Sequence, residues 1–117
     1  KLLRPMLDRR HLMTAAALAD YPDGRPACGC GIVTMRQQPG TAKGVVFLTM
    51  EDETGVVNVI VWRAVRDRYR EALLRSRLLA VYGVWQRQGD VTHLVASRLE
   101  DLTPLLGRLA TESRDFH

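Results

Sequence analysis

The sequence predicts an all-β fold with flanking helices, built around a small closed barrel of five strands. Three observations carry this expectation. Two β-rich runs, Val45–Met50 and Val56–Trp62, are joined by an acidic turn ending at Gly55. Gly29 and Gly31 interrupt the first β-rich segment, where a small barrel must coil sharply to close. A short amphipathic stretch, with Val65, Tyr69 and Leu73 at helical spacing, separates the third strand from the fourth.

In chain order, residues 2–19 read as a helix broken near Asp8–His11, with Leu2, Leu3, Met6 and Leu7 on one stripe. Thr14 is placed to cap a short helix over 15–19. Tyr21-Pro22-Asp23-Gly24 is a turn signal. Strand 1 is expected over 28–38, followed by a Gly-containing loop through Gly44. Strand 2 covers 45–51, with Val46, Leu48 and Met50 inward and Phe47 and Thr49 outward. In the following turn Asp52 should accept backbone amides while Gly55 supplies a positive φ. Strand 3 covers 56–62, with Val57, Val59 and Val61 as core and Asn58, Ile60 and Trp62 on the other face. A helix over 64–74 leads to strand 4 (77–88), a Gln88-Gly89-Asp90 hairpin turn and strand 5 (91–97). Asp101 is a candidate N-cap for a last helix running through Leu109. The expected organisation is a helical lead-in (1–26), a barrel (27–100) and a C-terminal helix with tail (101–117). Because the chain opens at Lys1 inside a helical pattern, a piece of a longer protein is expected.

The bulk composition is that of a globular domain, 46% apolar and 26% charged. No apolar run approaches the roughly 20 residues of a membrane-spanning helix, and no signal peptide is visible. The net charge is +4, and residues 27–99 alone hold ten basic and six acidic side chains. A basic excess on the barrel favours a polyanionic partner. Cys28 and Cys30 are the only cysteines, too few and too closely spaced for a zinc site. At i and i+2 they share a face, expected to be the barrel interior, and free thiols suit a reducing, cytoplasmic compartment.

Catalytic constellations are missing from the sequence. Gly40–Gly44 lacks the order of a phosphate-binding P-loop and leads into a strand rather than a helix. Glu51, Asp52 and Glu53 are adjacent at a strand end and point in different directions, which suits a turn better than a metal pair. His93 stands without partners for nucleophilic chemistry. The aromatic and basic residues are more informative. Phe47, Thr49, Asn58 and Trp62 are candidates for a nucleic-acid face, with Arg36, Lys43 and Arg87 as phosphate contacts beside it. Arg63 and Arg98, near loop ends, are further candidates. The structural alternatives are packing of Phe47 under the first loop and of Trp62 against the following helix. Tyr82 and Trp85 cannot both face inward unless Gly83 marks a bulge, so they are candidates for a protein contact, together with Phe116.

The order β-β-β-α-β-β is that of an OB-fold. With the strands placed, the string Ile32-Val33-Thr34-Met35-Arg36-Gln37-Gln38-Pro39-Gly40-Thr41-Ala42-Lys43-Gly44 through Gly55 resembles the C-terminal OB domain of bacterial C-family DNA polymerases. It is most similar to the error-prone, damage-inducible branch of that family. Asn58–Trp62, His93–Ala96, Arg98–Leu102 and Ser113–His117 support the resemblance, which covers about residues 25–117. It implies a parent polymerase using Mg²⁺ and deoxynucleoside triphosphates, its catalytic aspartates elsewhere, and His117 as the parent's C-terminus. The fragment itself would be non-catalytic, without a cofactor or metal of its own, and monomeric in isolation. The implied role is in translesion synthesis during the DNA damage response, on single-stranded or primer-template DNA. The implied protein partners are a Y-family-like polymerase paralogue, a RecA-like accessory protein and the sliding clamp. Tyr82, Val84, Trp85, Cys28 and Cys30 depart from the family pattern, which keeps a protein-docking role open beside DNA contact. An anticodon-binding domain of a tRNA synthetase shares the strand-turn-strand pattern but fits the terminal helix and tail less well.

Overall fold

The computed structural model describes residues 12–38 and 44–106. A short helix α1 (Ala15–Ala19) precedes β1 (Pro26–Gln37), β2 (Val46–Asp52) and β3 (Gly55–Val61). Two short helices, α2 (Arg63–Arg68) and α3 (Arg70–Arg75), connect to β4 (Leu78–Gln88) and β5 (Val91–Asp101). The strands close in the order β1-β2-β3-β5-β4. Closure comes from a short parallel contact in which Val59 and Ile60 of β3 pair with Leu94 and Val95 of β5. The long β1 serves two partners: its first half pairs with β4 and its second half with β2.

Alternation along the strands builds the core. Val46, Leu48 and Met50 of β2 and Val57, Val59 and Val61 of β3 are buried together, as their spacing predicts. Leu79, Val81 and Trp85 of β4 and Leu94, Ala96 and Leu99 of β5 complete the interior. The spacing of the β5 set changes because Ser97 is an extra residue: Tyr82 pairs with Arg98, and Gly83 with Ala96. Strand 5 therefore runs four residues beyond its expected end, to Asp101, since the bulge breaks the alternation that marks a strand. The hydroxyl of Ser97 donates to the Tyr82 carbonyl at 2.9 Å. Opposite the bulge, a Cβ on Gly83 would lie 1.9 Å from the Val95 carbonyl oxygen, so only glycine fits. A second bulge, at Thr34 in β1, likewise swaps which side chains face outward.

α1 seals one end of the barrel, with Leu18 fully buried in the core. Its free N-terminal amides all find acceptors: Ala17 on the Thr14 hydroxyl (3.1 Å), Ala15 on Asp52 Oδ2 (2.8 Å) and Ala16 on Thr54 Oγ1 (2.9 Å). The other Asp52 oxygen accepts the Thr54 and Gly55 amides, at 2.7 and 3.1 Å, so one carboxylate ties the β2–β3 turn to the helix. Gly55 sits at φ +156°. Burial alone would raise the Asp52 carboxyl; the Thr54 hydroxyl and the amides of Ala15, Thr54 and Gly55 outweigh it and hold the group below the usual carboxylate range.

Two further expectations change. The helix expected over 64–74 is split at Tyr69, whose φ of −114° and ψ of 34° leave the α region. Val65, Tyr69 and Leu73 still pack on the core. Cys28 and Cys30 do share a face, but it is the outer one. Cys30 belongs to a second cluster with Leu12, Leu78, Ala80, Leu102 and Leu105, and Cys28 packs against it. The interior position between them is Gly29, where a Cβ would meet Leu18 at 3.1 Å and Leu94 at 3.5 Å. The helix expected after Asp101 is present over 103–106, as far as the described residues run. Asp101 Oδ1 accepts the Thr103 amide at 2.8 Å, and the Thr103 hydroxyl accepts the Arg77 amide at 2.9 Å. The first part of the expected lead-in helix, residues 39–43 of the first loop and the C-terminal tail lie outside the described residues.

Candidate nucleic-acid interface

The outer surface of β1, β2 and β3 forms a wall of cross-strand rows. Gln37, Phe47 and Ile60 are paired in one row, which continues through Val95 to Val84. Met35, Thr49 and Asn58 make the next, and Ile32, Glu51 and Val56 the third. Trp62 follows Asn58 and Ile60 on the same side of β3. Much of this wall is apolar and open: Met35 is 50% exposed, Val56 55%, Trp62 56% and Phe47 36%. Glu51, on the row farthest from Trp62, is the one acid in these three rows. Phe47 and Trp62 stand at the end of the wall next to the helical connection, with hydrogen-bonding Gln37 in the Phe47 row and Thr49 and Asn58 in the row beyond it, which suits a surface on which bases stack and polar edges are met.

The structure brings together Phe47, Thr49, Asn58 and Trp62 but removes two arginines from their company. After the Thr34 bulge Arg36 pairs with Leu48, an inward position, and reaches across the barrel end. Its Nε donates to the Leu73 carbonyl at 2.7 Å and its Nη2 to the Ser76 carbonyl, capping α3. Arg87 donates its amide to Asp23 and its guanidinium to the Ala19 carbonyl, tying the end of α1. Both arginines brace the fold. Lys43 and Phe116 lie outside the described residues.

Trp85, expected at a partner surface, is 2% exposed and belongs to the barrel core. It shares the inward parity of Leu79 and Val81, while Tyr82 faces out. The Tyr82 hydroxyl donates to Glu100 at 3.0 Å, and the Arg98 guanidinium stacks over its ring at 4.1 Å. Burial, reinforced by the Glu100 hydrogen bond, raises the Tyr82 phenol above its ordinary value. Burial also pushes up the Cys28 thiol, against the opposing charge of Arg98.

Met35 is a wall residue that alternation alone overlooks, because the bulge precedes it. A larger omission concerns charge. Residues 62–77 contain six arginines (63, 66, 68, 70, 75 and 77) and only two acids, Asp67 and Glu71. The basic excess of the barrel region is thus concentrated on the connection that begins at Trp62.

Comparison with known proteins agrees with the barrel fold. The OB-fold nucleic acid binding domain family matches residues 30–102, more than half of the chain. The chain belongs to that family. Over 116 residues it is 60% identical to an error-prone DNA polymerase of Ralstonia nicotianae and 63% identical to one of Burkholderia mallei. A Pseudomonas fluorescens error-prone DNA polymerase is 52% identical over the same length. These alignments cover 99% of the chain but only 11% of each polymerase, so the OB domain corresponds to a segment of those relatives. Among solved structures, asparaginyl-tRNA synthetase from Pyrococcus horikoshii aligns with a TM-score of 0.63 and 20% identity, covering 78% of this chain and 23% of that one. An OBody bound to hen egg-white lysozyme aligns at 0.60 and 15% identity, covering 77% of this chain and 89% of that one. At such identities these two likenesses concern the fold alone.

Proposed function

We propose that the β1–β3 wall of this OB domain binds single-stranded DNA, as the non-catalytic template-contacting module of an error-prone DNA polymerase. The observation that carries the reading is the open wall itself, with Phe47 and Trp62 exposed beside the Thr49–Asn58 row. Bases stack on such rings with little regard to sequence, which a polymerase traversing damaged template requires. Among the described residues no three His, Cys, Asp or Glu side chains are grouped so as to hold a metal ion. In this reading the polymerase chemistry, with Mg²⁺ and deoxynucleoside triphosphates, belongs to other segments of the parent protein. The work is cytoplasmic and lies in translesion synthesis.

The test is fluorescence anisotropy of a labelled oligothymidylate with the wild-type domain and with Phe47→Ala and Trp62→Ala. Both variants should fold, and each should weaken binding by about 1–3 kcal/mol if a base stacks there. Unchanged affinity in both would return these rings to a structural role. A second reading rests on Tyr82 and Arg98, which line an open groove with Tyr69, Leu99 and Glu100. There the domain would dock another component of the translesion machinery, such as the polymerase paralogue, the RecA-like protein or the sliding clamp. A pull-down that loses a partner with Tyr82→Ala, while DNA affinity is retained, would favour it.

A further inference from the structure

We propose that Arg63, Arg66 and Arg70 form a phosphodiester-binding site that receives the backbone of the strand where it leaves the wall beyond Trp62. The inference rests on the wall reading and adds to it a site on the helical connection, outside the sheet. The chain geometry joins the two surfaces. Trp62 ends the outward column of β3 and is also the N-cap residue of α2, so the arginines of α2 begin where the aromatic surface stops. They lie against the exit of the first loop: a Cβ on Gly44, which sits at φ +89°, would lie 3.0 Å from Arg66 Nη1 and 3.3 Å from Arg63 Cγ. Here bare backbone and guanidinium are in close approach.

Next to this approach is a cleft of about 210 Å³ lined by Gln38, Val46, Arg66, Arg70, Leu73 and Leu74. Its floor is apolar, and its polar groups are an amide and two guanidinium groups. The charge in it is under-compensated. Asp67 is shared: Arg66 donates to its Oδ1 at 2.9–3.0 Å, and Arg63 approaches its Oδ2 at 4.0 Å. Arg70 has no acid partner among the described residues. One carboxylate thus serves two of the three guanidinium groups and leaves Arg70 uncompensated; their planar forks match phosphate oxygens two at a time. The wall is polarised in the same sense. Glu51 and the acidic turn stand at its far end, so a polyanion on the wall has its favourable electrostatic side toward Trp62 and the arginines.

Salt dependence separates this site from the stacking wall, because neutralising a phosphate releases counterions and stacking a base does not. Binding of a labelled oligothymidylate is measured across a salt series with four proteins: wild type, R63Q/R66Q/R70Q, R70Q alone and F47A. The triple variant should weaken binding at low salt and flatten the slope of log K against log salt by about 0.7 for each phosphate it no longer neutralises. R70Q should flatten it by about one such step. F47A should weaken binding with the slope unchanged. A wild-type slope in both arginine variants, with binding still sensitive to F47A, would overturn the phosphate site and leave the wall standing. If wild-type protein binds no oligonucleotide, wall and site fall together. Because removing Arg66 disturbs its packing on Asp67 and Gly44, R70Q alone decides the matter should the triple variant fail to fold.

Discussion

The barrel has two outer walls, and they are finished differently. On β1, β4 and the second half of β5, the outward residues Cys30, Leu78 and Ala80 are buried under Leu12 and the 103–106 helix, which contributes Leu105. The chain covers that wall with its own flanking segments. On β1, β2 and β3 the outward residues Met35, Phe47, Val56 and Trp62 are left open, though they are equally apolar. Scattered exposed apolar residues are ordinary in soluble proteins. Residues paired in adjacent rows of one sheet, beside a covered wall of similar composition, point instead to a surface reserved for a ligand. Covered walls should report on stability and open walls on binding.

The seam between β4 and β5 offers the severest challenge to this contrast. Gly83→Ala places a Cβ into the Val95 carbonyl and should cost more than about 4 kcal/mol, abolishing the cooperative thermal transition. A folded variant with near-normal melting would show that β5 can move away and that the bulge at Ser97 is not rigid. On the covered wall, Leu102→Ala should destabilise by about 2–5 kcal/mol in denaturant titrations, with oligonucleotide affinity unchanged once the protein is folded. A loss of affinity there would mean that the two walls are coupled.

Asp52→Asn tests the seal at the end of the barrel. It removes a charged acceptor from four donors and should cost about 1–3 kcal/mol. The pH dependence has a definite sign. Because the folded-state carboxyl lies below the usual range, its stabilisation is complete above the ordinary Asp value of about 3.9 and is lost as pH falls through the lowered folded value. Melting temperatures of wild type and Asp52→Asn should therefore converge in acid; parallel curves down to that range would assign the acid sensitivity to other groups. The smallest effect on stability belongs to the open wall. Phe47→Ala should shift the melting midpoint little, since the ring is 36% exposed, while weakening DNA binding by about 1–3 kcal/mol.

How much of this could be read from the sequence depended on whether a residue's role was local. The β2-turn-β3 unit was legible because its alternation is unbroken and Asp52 and Gly55 act within four positions. The Thr14 cap was legible for the same reason. Cys28 and Cys30 were correctly placed on one face, but spacing does not say which; that is decided by Gly29 passing beneath Leu18 and Leu94. Arg36 looked free because its acceptors, the carbonyls of Leu73 and Ser76, lie 37 and 40 residues away. Trp85 kept the inward parity of Leu79 and Val81, and the irregularity suspected at Gly83 belongs to the facing strand at Ser97. Of the candidate site, the aromatic and polar members were visible in the period-two pattern. Of the arginine cluster only Arg63 was singled out, because helical spacing alone assigns residues such as Arg66 and Arg70 to solvent.

Whether the open wall rather than the covered one receives the strand is decided by a backbone NMR titration of the domain with an oligothymidylate. The expected result is a contiguous set of perturbed amides at Met35, Phe47, Thr49, Asn58, Ile60 and Trp62, extending into α2, with Tyr82, Arg98 and Glu100 unmoved. Perturbations centred on Tyr82, Arg98 and Glu100, with the β1–β3 wall silent, would contradict it.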